Sequence, residues 1–184
     1  MMRAIEVRDL LEHPGSSRTV RVDEAVPGLR TELADVPEDS PIRGELMLES
    51  VELGIYVTGS VGGRFAMRCA RCLKAFARPF DVRMAELFAR EPGPKDDYAL
   101  TPELTLDPEP MVRDAVVLEM PFSPLCRPDC LGLCEICGGD RNLGECPGHE
   151  VTDPRWDALD VLLQHLEAQP DQEPSDDDDR TTTS

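Results

Sequence analysis

The sequence predicts an α+β fold: an antiparallel β-meander, a few packing helices and a cysteine-knuckle segment near the C-terminus. Apolar and polar residues alternate with period two from about residue 42 to 89, which is typical of half-buried strands. The pairs Asp107-Pro108 and Asp153-Pro154 each precede apolar residues at helical spacing. Seven cysteines, most of them close together, occupy the turns and the segment after the first of these helices.

Composition sets the size and organisation of this fold. The chain has 184 residues, of which 40% are hydrophobic and only 4% aromatic, so the core is expected to be modest and aliphatic. We predict an N-terminal extension over residues 1–40 and a meander-plus-helix core over 41–125. A cysteine-rich segment with a closing helix follows over 126–170, and a disordered acidic tail over 171–184.

The expected location is the cytoplasm. No apolar run approaches the length of a membrane span, so a membrane partner is not expected. Residues 1–15 carry several charges where a secretory signal would be apolar, which argues against such a signal.

The N-terminal region is expected to contain two short elements. Val7 to Glu12 favours a helical turn that ends at His13-Pro14-Gly15. Thr19 to Val22 alternates in the manner of a strand.

The meander begins with a strand whose inward residues are Val51, Leu53, Ile55 and Val57. Leu46 and Leu48 have the opposite parity, which predicts a turn or bulge near Glu49-Ser50. Gly62-Gly63 predicts a hairpin turn. A further strand after Cys72 is expected to place Phe80, Val82 and Met84 on one face.

Two helices complete the predicted elements. The first is expected from Asp107 to Met120, where Pro121 ends it. The second is expected from Asp153 to about Gln169, with Trp156 and the leucines after it as its packing face.

Charge is unevenly distributed along the chain. The net charge of −18 repels nucleic acid at long range. Between residues 64 and 83, however, Asp81 is the only acid among six basic residues: Arg64, Arg68, Arg71, Lys74, Arg78 and Arg83. This basic run either contacts phosphate or pairs with the acidic surplus elsewhere in the chain.

The cysteine spacing indicates zinc. Tetrahedral zinc takes four Cys or His ligands, and two ligands separated by two residues reach one ion from a tight turn. One predicted site is the Cys₃His set Cys134, Cys137, Cys146 and His149, in which Gly138-Gly139 follows the first pair. The remaining Cys69, Cys72, Cys126 and Cys130 then form a second possible site.

Other arrangements of the thiols remain open. Cys126, Cys130, Cys134 and Cys137 alone would make one site and leave Cys69 and Cys72 free or redox-active. A thioredoxin-like role for Cys69 and Cys72 lacks the βαβ pattern that it requires. A zinc-thiol redox sensor is a further alternative, which would lose zinc reversibly under mild peroxide.

Catalysis is not expected. The chain contains none of the common nucleotide-binding, hydrolase or metalloprotease motifs. A zinc ion with four protein ligands has no open position for water, so it would be structural.

Several segments together resemble the YceD family, the large ribosomal RNA subunit accumulation proteins. The segment "VGGRFAMRCARCLKAFARPF" (residues 61–80) is similar to the family's strand-CxxC-strand region, and "VRDAVVLEMPFSPLC" (112–126) to its helix-then-proline stretch. "CRPDCLGLCEICGGDRN" and "DPRWDALDVLL" resemble the cysteine-rich extension and closing helix of Gram-positive and actinobacterial members, and "VRDLLEHPGSSRTV" fits as well. One departure is Cys146-Pro147-Gly148-His149, where the family has varied Cys or His ligands.

The resemblance implies a bacterial, cytoplasmic, non-enzymatic factor in ribosome biogenesis. Our hypothesis is that it binds precursor large-subunit ribosomal RNA or an assembly intermediate, with Arg64, Arg68, Arg71, Lys74 and Arg78 on phosphate. The alternative is an acidic, zinc-containing adaptor that binds a basic ribosomal protein without contacting RNA.

Overall fold

A mostly antiparallel six-stranded sheet dominates the computed structural model, which describes residues 2–95, 97–149, 159, 162 and 163. The elements in chain order are β1 (Ile5–Glu6), α1 (Arg8–Leu11), β2 (Ser17–Glu24), β3 (Ala34–Asp35), β4 (Ile42–Val51), β5 (Gly54–Arg68), β6 (Ala75–Ala89), β7 (Tyr98–Ala99), β8 (Thr105–Leu106) and α2 (Glu109–Glu119). The sheet order is β2-β4-β5-β6-β7, with β3 beside β5, while β1 pairs with β8. Among these described pairs only β6 and β7 run parallel, so the predicted α+β class with an antiparallel meander is confirmed.

The core lies on one face of the central hairpins. Alternate residues of β4 and β5 point inward and are fully buried, among them Leu46, Leu48, Ile55, Val57 and Val61. α2 covers this face with Met111, Val112 and Val116, which are also fully buried or nearly so. Burial of these aliphatic side chains supplies most of the driving force for folding.

The turn between β4 and β5 differs from the prediction. β4 continues without a bulge through Glu49 and Ser50, which pair regularly with Tyr56 and Ile55. The turn falls at Glu52-Leu53 instead, and Leu53 is 68% exposed rather than inward-facing. A hairpin at that point explains why the leucines of β4 and the apolar residues of β5 have opposite parity.

Gly62-Gly63 is not a turn. Both glycines lie inside β5, which runs on to Arg68 and pairs with β6 throughout. A Cβ at Gly63 would lie 2.9 Å from the ring of Phe80, which stacks on Phe65 with ring centroids 4.2 Å apart. The glycine therefore makes room for an aromatic ring on the neighbouring strand.

Two other glycines lie where the backbones of β4 and β5 leave no room for a side chain. A Cβ at Gly44 would overlap the backbone carbonyl oxygen of Ser60, and one at Gly59 would overlap that of Glu45. Both residues lie on the core face, between buried aliphatic neighbours. The absence of side chains at these points lets the two backbones lie this close together.

The remaining predicted elements agree with the structure where it describes them. The N-terminal helical turn, the first strand, the predicted helix from Asp107 and the inward Phe80–Met84 face all appear, as α1, β2, α2 and part of β6. β2 pairs with β4 along its whole length, so residues 17–24 belong to the central sheet. The helix predicted from Asp153 lies outside the described residues except for helical Leu159, Leu162 and Leu163, and so does the acidic tail.

The chain divides into two units, Met1–Glu145 and Cys146–Ser184. The sheet, α2 and six of the seven cysteines belong to the first unit, and Cys146 belongs to the second. No helix among the described residues has the length and apolarity needed to cross a membrane.

Candidate metal centre

The turn between β5 and β6 positions the first two thiols. Cys69 is fully buried at the end of β5, and its backbone N–H donates to the carbonyl of Lys74 at 3.0 Å. Leu73 N–H donates back to the carbonyl of Cys69 at 2.9 Å. These two bonds close a tight loop that directs Cys69 and Cys72 to the same side, as a metal knuckle requires.

The segment after α2 brings the second pair of thiols to this turn. Ala70 N–H donates to the carbonyl of Pro124 at 2.8 Å, which fastens the segment to the turn just before Cys126. The Arg71 guanidinium donates to the carbonyl of Cys130 at 2.8 Å, and that of Arg78 to the carbonyl of Leu125 at 3.3 Å. Neutral backbone contacts and two arginines thus hold Cys126 and Cys130 beside the turn.

The four sulfur atoms have the spacing of a tetrahedral metal site. Sγ of Cys69 lies 3.8 Å from Sγ of Cys130, and Sγ of Cys72 lies 3.7 Å from Sγ of Cys126. All four lie within 4.8 Å of one another. Zinc–sulfur bonds of about 2.3 Å in a tetrahedron place sulfurs about 3.8 Å apart, so this donor set fits a zinc-sized ion.

Electrostatic interactions among Cys69, Cys72, Cys126 and Cys130, the cysteine quartet, favour the binding of a cation. Burial raises the pKa of Cys69, but backbone N–H groups of Cys126, Cys72 and Arg71 stabilise its thiolate and bring the pKa to about 6. Burial, together with the neighbouring thiols, raises the pKa of Cys126 to about 12. Four adjacent thiolates repel one another, and a divalent ion is what allows all of them to be deprotonated together.

The predicted ligand set Cys134, Cys137, Cys146 and His149 is divided between the two units: Cys134 and Cys137 lie in Met1–Glu145, and Cys146 and His149 lie in Cys146–Ser184. Within the first unit, Cys134 N–H donates to the carbonyl of Gly139 at 2.9 Å, and Gly138 N–H donates to the carbonyl of Cys134 at 2.8 Å. These bonds have the same spacing as those around Cys69, so the chain builds the same knuckle twice.

The two knuckles differ at the residue after the second cysteine. Gly138 and Leu73 occupy this position, and both have left-handed backbone, with φ of 72° and 59°. Glycine adopts this conformation freely, whereas a leucine pays about 1 kcal/mol or more for it. Leu73 is also 57% exposed, so its side chain recovers little of that energy by burial.

We expect Leu73→Gly to raise the free energy of unfolding by up to about 1 kcal/mol, because it relieves this backbone strain. Urea denaturation measures the change. Lys74→Gly is the matched control, since it adds the same flexibility at the next position, where φ is not positive. Equal effects of the two substitutions would contradict the explanation.

The basic residues divide into two groups. Arg64 and Arg68 are exposed and lie on the sheet face opposite buried Phe65 and Met67. Arg83 of β6 lies on the same outer face, because it pairs with Ser60, which has the parity of Arg64. Lys74 is exposed at the start of β6. Arg71 and Arg78, by contrast, hold the Cys126–Cys130 segment.

Asn142 is a residue of this site that sequence reasoning missed. Its Nδ2 lies 3.6 Å from Sγ of Cys130, and its Oδ1 accepts hydrogen bonds from Arg127 at 2.7 Å and from Leu131 N–H at 2.9 Å. Such contacts orient a metal ligand and tune its basicity. Nothing in the spacing of the sequence distinguishes this asparagine from a surface residue.

Comparison with known proteins adds a family assignment for more than half of the chain. Residues 57–163 match the family model described as "Large ribosomal RNA subunit accumulation protein YceD". Uncharacterized protein Rv2926c of Mycobacterium tuberculosis is 40% identical over 140 residues, which cover 72% of this chain and 67% of the relative. Uncharacterized protein ML1660 of Mycobacterium leprae is 31% identical over 167 residues (86% and 76%), and uncharacterized protein YlbN of Bacillus subtilis 27% over 138 residues (71% and 79%). No solved structure matches the chain.

Proposed function

Because the chain belongs to the YceD family, we propose that it is a ribosome biogenesis factor that supports accumulation of large-subunit ribosomal RNA. It acts in the cytoplasm by binding precursor RNA or an assembly intermediate, and it has no catalytic role. The observation that carries the contact to RNA is the arginine-bearing outer face of the β5–β6 hairpin, next to the cysteine quartet.

We propose that the metal is zinc and that its role is structural. Four thiol ligands at tetrahedral spacing suit zinc and leave no position for a substrate or water. When bound, zinc supplies four metal–thiolate bonds between the hairpin turn and residues 126–130. The protein's own contacts from Arg71 and Arg78 already orient that segment, so the ion stabilises an arrangement that the chain favours.

The outer face of the hairpin suits a phosphate backbone. Arg64 and Arg68 alternate with Ala66, and the facing residues on β6 include Ala75 and Ala77. Small side chains between the arginines leave a flat surface that a nucleic acid strand can approach closely. Each phosphate contact releases counterions, so local positive charge supports binding even in a protein of net charge −18.

We expect Arg64→Glu combined with Arg68→Glu to weaken binding of a large-subunit ribosomal RNA precursor fragment at least tenfold. The salt dependence of binding should also fall, by a slope of about 2, because two phosphate contacts are lost. Filter binding across a salt series measures both quantities. Arg71 is left intact because it holds Cys130 in place.

The matched control uses two arginines on the same sheet face that have acidic partners. Arg21 pairs with Glu45 at 3.0 Å and Arg43 with Asp23 at 3.0 Å. Their reversal to glutamate should change RNA affinity much less. If the Arg64 and Arg68 double variant folded normally and bound RNA like the wild type, the proposed contact would be wrong.

The second candidate is an adaptor that binds a basic ribosomal protein without RNA contact. The net charge of −18 favours it. Truncation after Pro170 removes the acidic run 176–179 and tests this role. Loss of binding to a basic ribosomal protein, with RNA binding absent in both forms, would favour the adaptor.

A further inference from the structure

One edge of β6 has no described strand beside it along most of its length. Among the described residues, β6 pairs with β5 on one side and with β7 on the other only at Phe88 and Ala89. No described strand covers the second side between Asp81 and Leu87. An uncovered strand edge presents N–H and C=O groups that can pair with another chain.

The register shows which backbone groups face this open edge. The Ala89 carbonyl accepts from Leu100 N–H at 2.9 Å, on the side of β6 away from β5. Alternate residues of a strand direct their N–H and C=O to the same side, so Asp81, Arg83, Ala85 and Leu87 point outward as well. Pro79 has this parity too, and its missing N–H falls on the free edge, where a proline is tolerated.

A groove runs beside this edge. It has a volume of about 330 Å³ and lies between β6 and α2, with Val82–Glu86 on one wall and Ala115 and Leu118 on the other. Leu118 is 85% exposed, which is high for a leucine on a helix that packs against the sheet. A strand added to β6 would place alternate side chains over Ala115 and Leu118.

The groove has more acidic than basic side chains, which favours a positively charged occupant. Glu86, Asp114 and Glu119 line it, against Arg83 alone among basic residues of the lining. Tyr98 donates to Asp114 at 2.8 Å. Burial is the largest cause that raises the pKa of Tyr98 to about 12, and the hydrogen bond to Asp114 and the charges of Asp114, Glu86 and Asp97 raise it further in the same direction.

We propose that the edge Asp81–Leu87 and its groove bind an extended basic segment of a partner protein by strand addition. The segment pairs its backbone with the outward groups of β6, rests apolar side chains on Leu118 and directs lysine or arginine toward Glu86 and Glu119. The chain's own acidic residues 171–179 are a poor match for this groove because their charge has the same sign. This inference does not depend on the RNA contact, which uses the outer face of the sheet.

The test uses a short fluorescein-labelled peptide of alternating lysine and valine, titrated with the full metal-loaded chain and followed by fluorescence anisotropy. Ala85→Pro removes one outward N–H inside the groove and should weaken binding about tenfold. Ala77→Pro is the matched control: it removes an N–H of the same parity beyond Pro79, outside the groove, and should leave affinity unchanged. Glu86→Lys with Glu119→Lys should also weaken binding at least tenfold.

Two further measurements separate strand addition from charge attraction. The same peptide with alternate backbone nitrogens methylated keeps its charge but cannot pair, and it should bind at least tenfold more weakly. Amide signals of Asp81, Arg83, Ala85 and Leu87 should shift in ¹⁵N spectra as the peptide is added. Equal affinity of the methylated peptide, or unchanged affinity of Ala85→Pro, would overturn the proposal whatever the outcome for RNA.

Discussion

Replacing Cys69 with serine is expected to lower the midpoint of thermal unfolding by about 10 °C and to remove one zinc ion per chain. The residue is fully buried, and its sulfur lies within 4.8 Å of three other thiols. Loss of one ligand weakens the site enough to empty it and leaves a buried polar group, which together cost about 3–5 kcal/mol. For a chain of this length, each kcal/mol shifts the midpoint by about 2–4 °C.

Calorimetry and elemental zinc analysis of freshly reduced protein test this expectation together. A strong chelator should lower the wild-type midpoint at least to that of the variant, and it should lower the midpoint of the variant by less than that of the wild type. Cys137→Ser is the matched comparison, because it removes an exposed thiol that does not belong to the group of Cys69, Cys72, Cys126 and Cys130. Wild-type protein without zinc, or with a midpoint insensitive to the chelator, would refute the proposed structural metal.

Replacing Gly59 with alanine is expected to lower the free energy of unfolding by about 2–3 kcal/mol. The new methyl group would overlap the carbonyl oxygen of Glu45, and backbone on an adjacent paired strand cannot move aside as a side chain can. β4 and β5 would have to separate at this point, between buried Val57 and Val61.

Urea denaturation at fixed zinc concentration measures this loss. Ser60→Ala is the control, since it places the same small side chain at the next residue, on the opposite face of β5. It should change the free energy of unfolding by less than about 0.5 kcal/mol. Comparable stability of both variants would show that the hairpin does not need its glycine at this point.

The strands were predictable wherever side-chain alternation alone decides the structure. Val82 and Met84 were expected inward and are buried, and the Asp107-Pro108 pair does precede α2. The turns were harder, because glycine allows a turn and also a close approach between strands. Gly62-Gly63 does not form a turn, because both residues pair with the neighbouring strand. The ring of Phe80 occupies the space where a side chain at Gly63 would lie, and this contact cannot be read from the residues around Gly63 in the sequence.

Cysteine spacing identified the two groups of potential ligands but not the contacts that assemble them. Local spacing fixes a knuckle such as Cys69–Cys72, because a few backbone hydrogen bonds close it. The contact of this knuckle with Cys126 and Cys130 depends on tertiary packing and on hydrogen bonds from Arg71 and Arg78. From the sequence, these two arginines could be recognised only as positive charges. The edge of β6 that no described strand covers could not be predicted from the sequence either, because it depends on which strands pair.

The pairing of Cys69 with Cys130 joins residues 61 positions apart. An ion held between them closes a long loop, as a disulfide does, but it binds the folded chain and not the unfolded one, so it stabilises the protein by its own binding free energy. Unlike a disulfide, this cross-link is stable in a reducing compartment and is lost when the metal is removed. Both β6 and α2 lie in the chain between the two pairs of thiols, so coordination of all four thiols would enclose these two elements in the cross-linked loop. Removal of the metal is therefore expected to weaken β6 and α2 as well as the turn that carries Cys69 and Cys72.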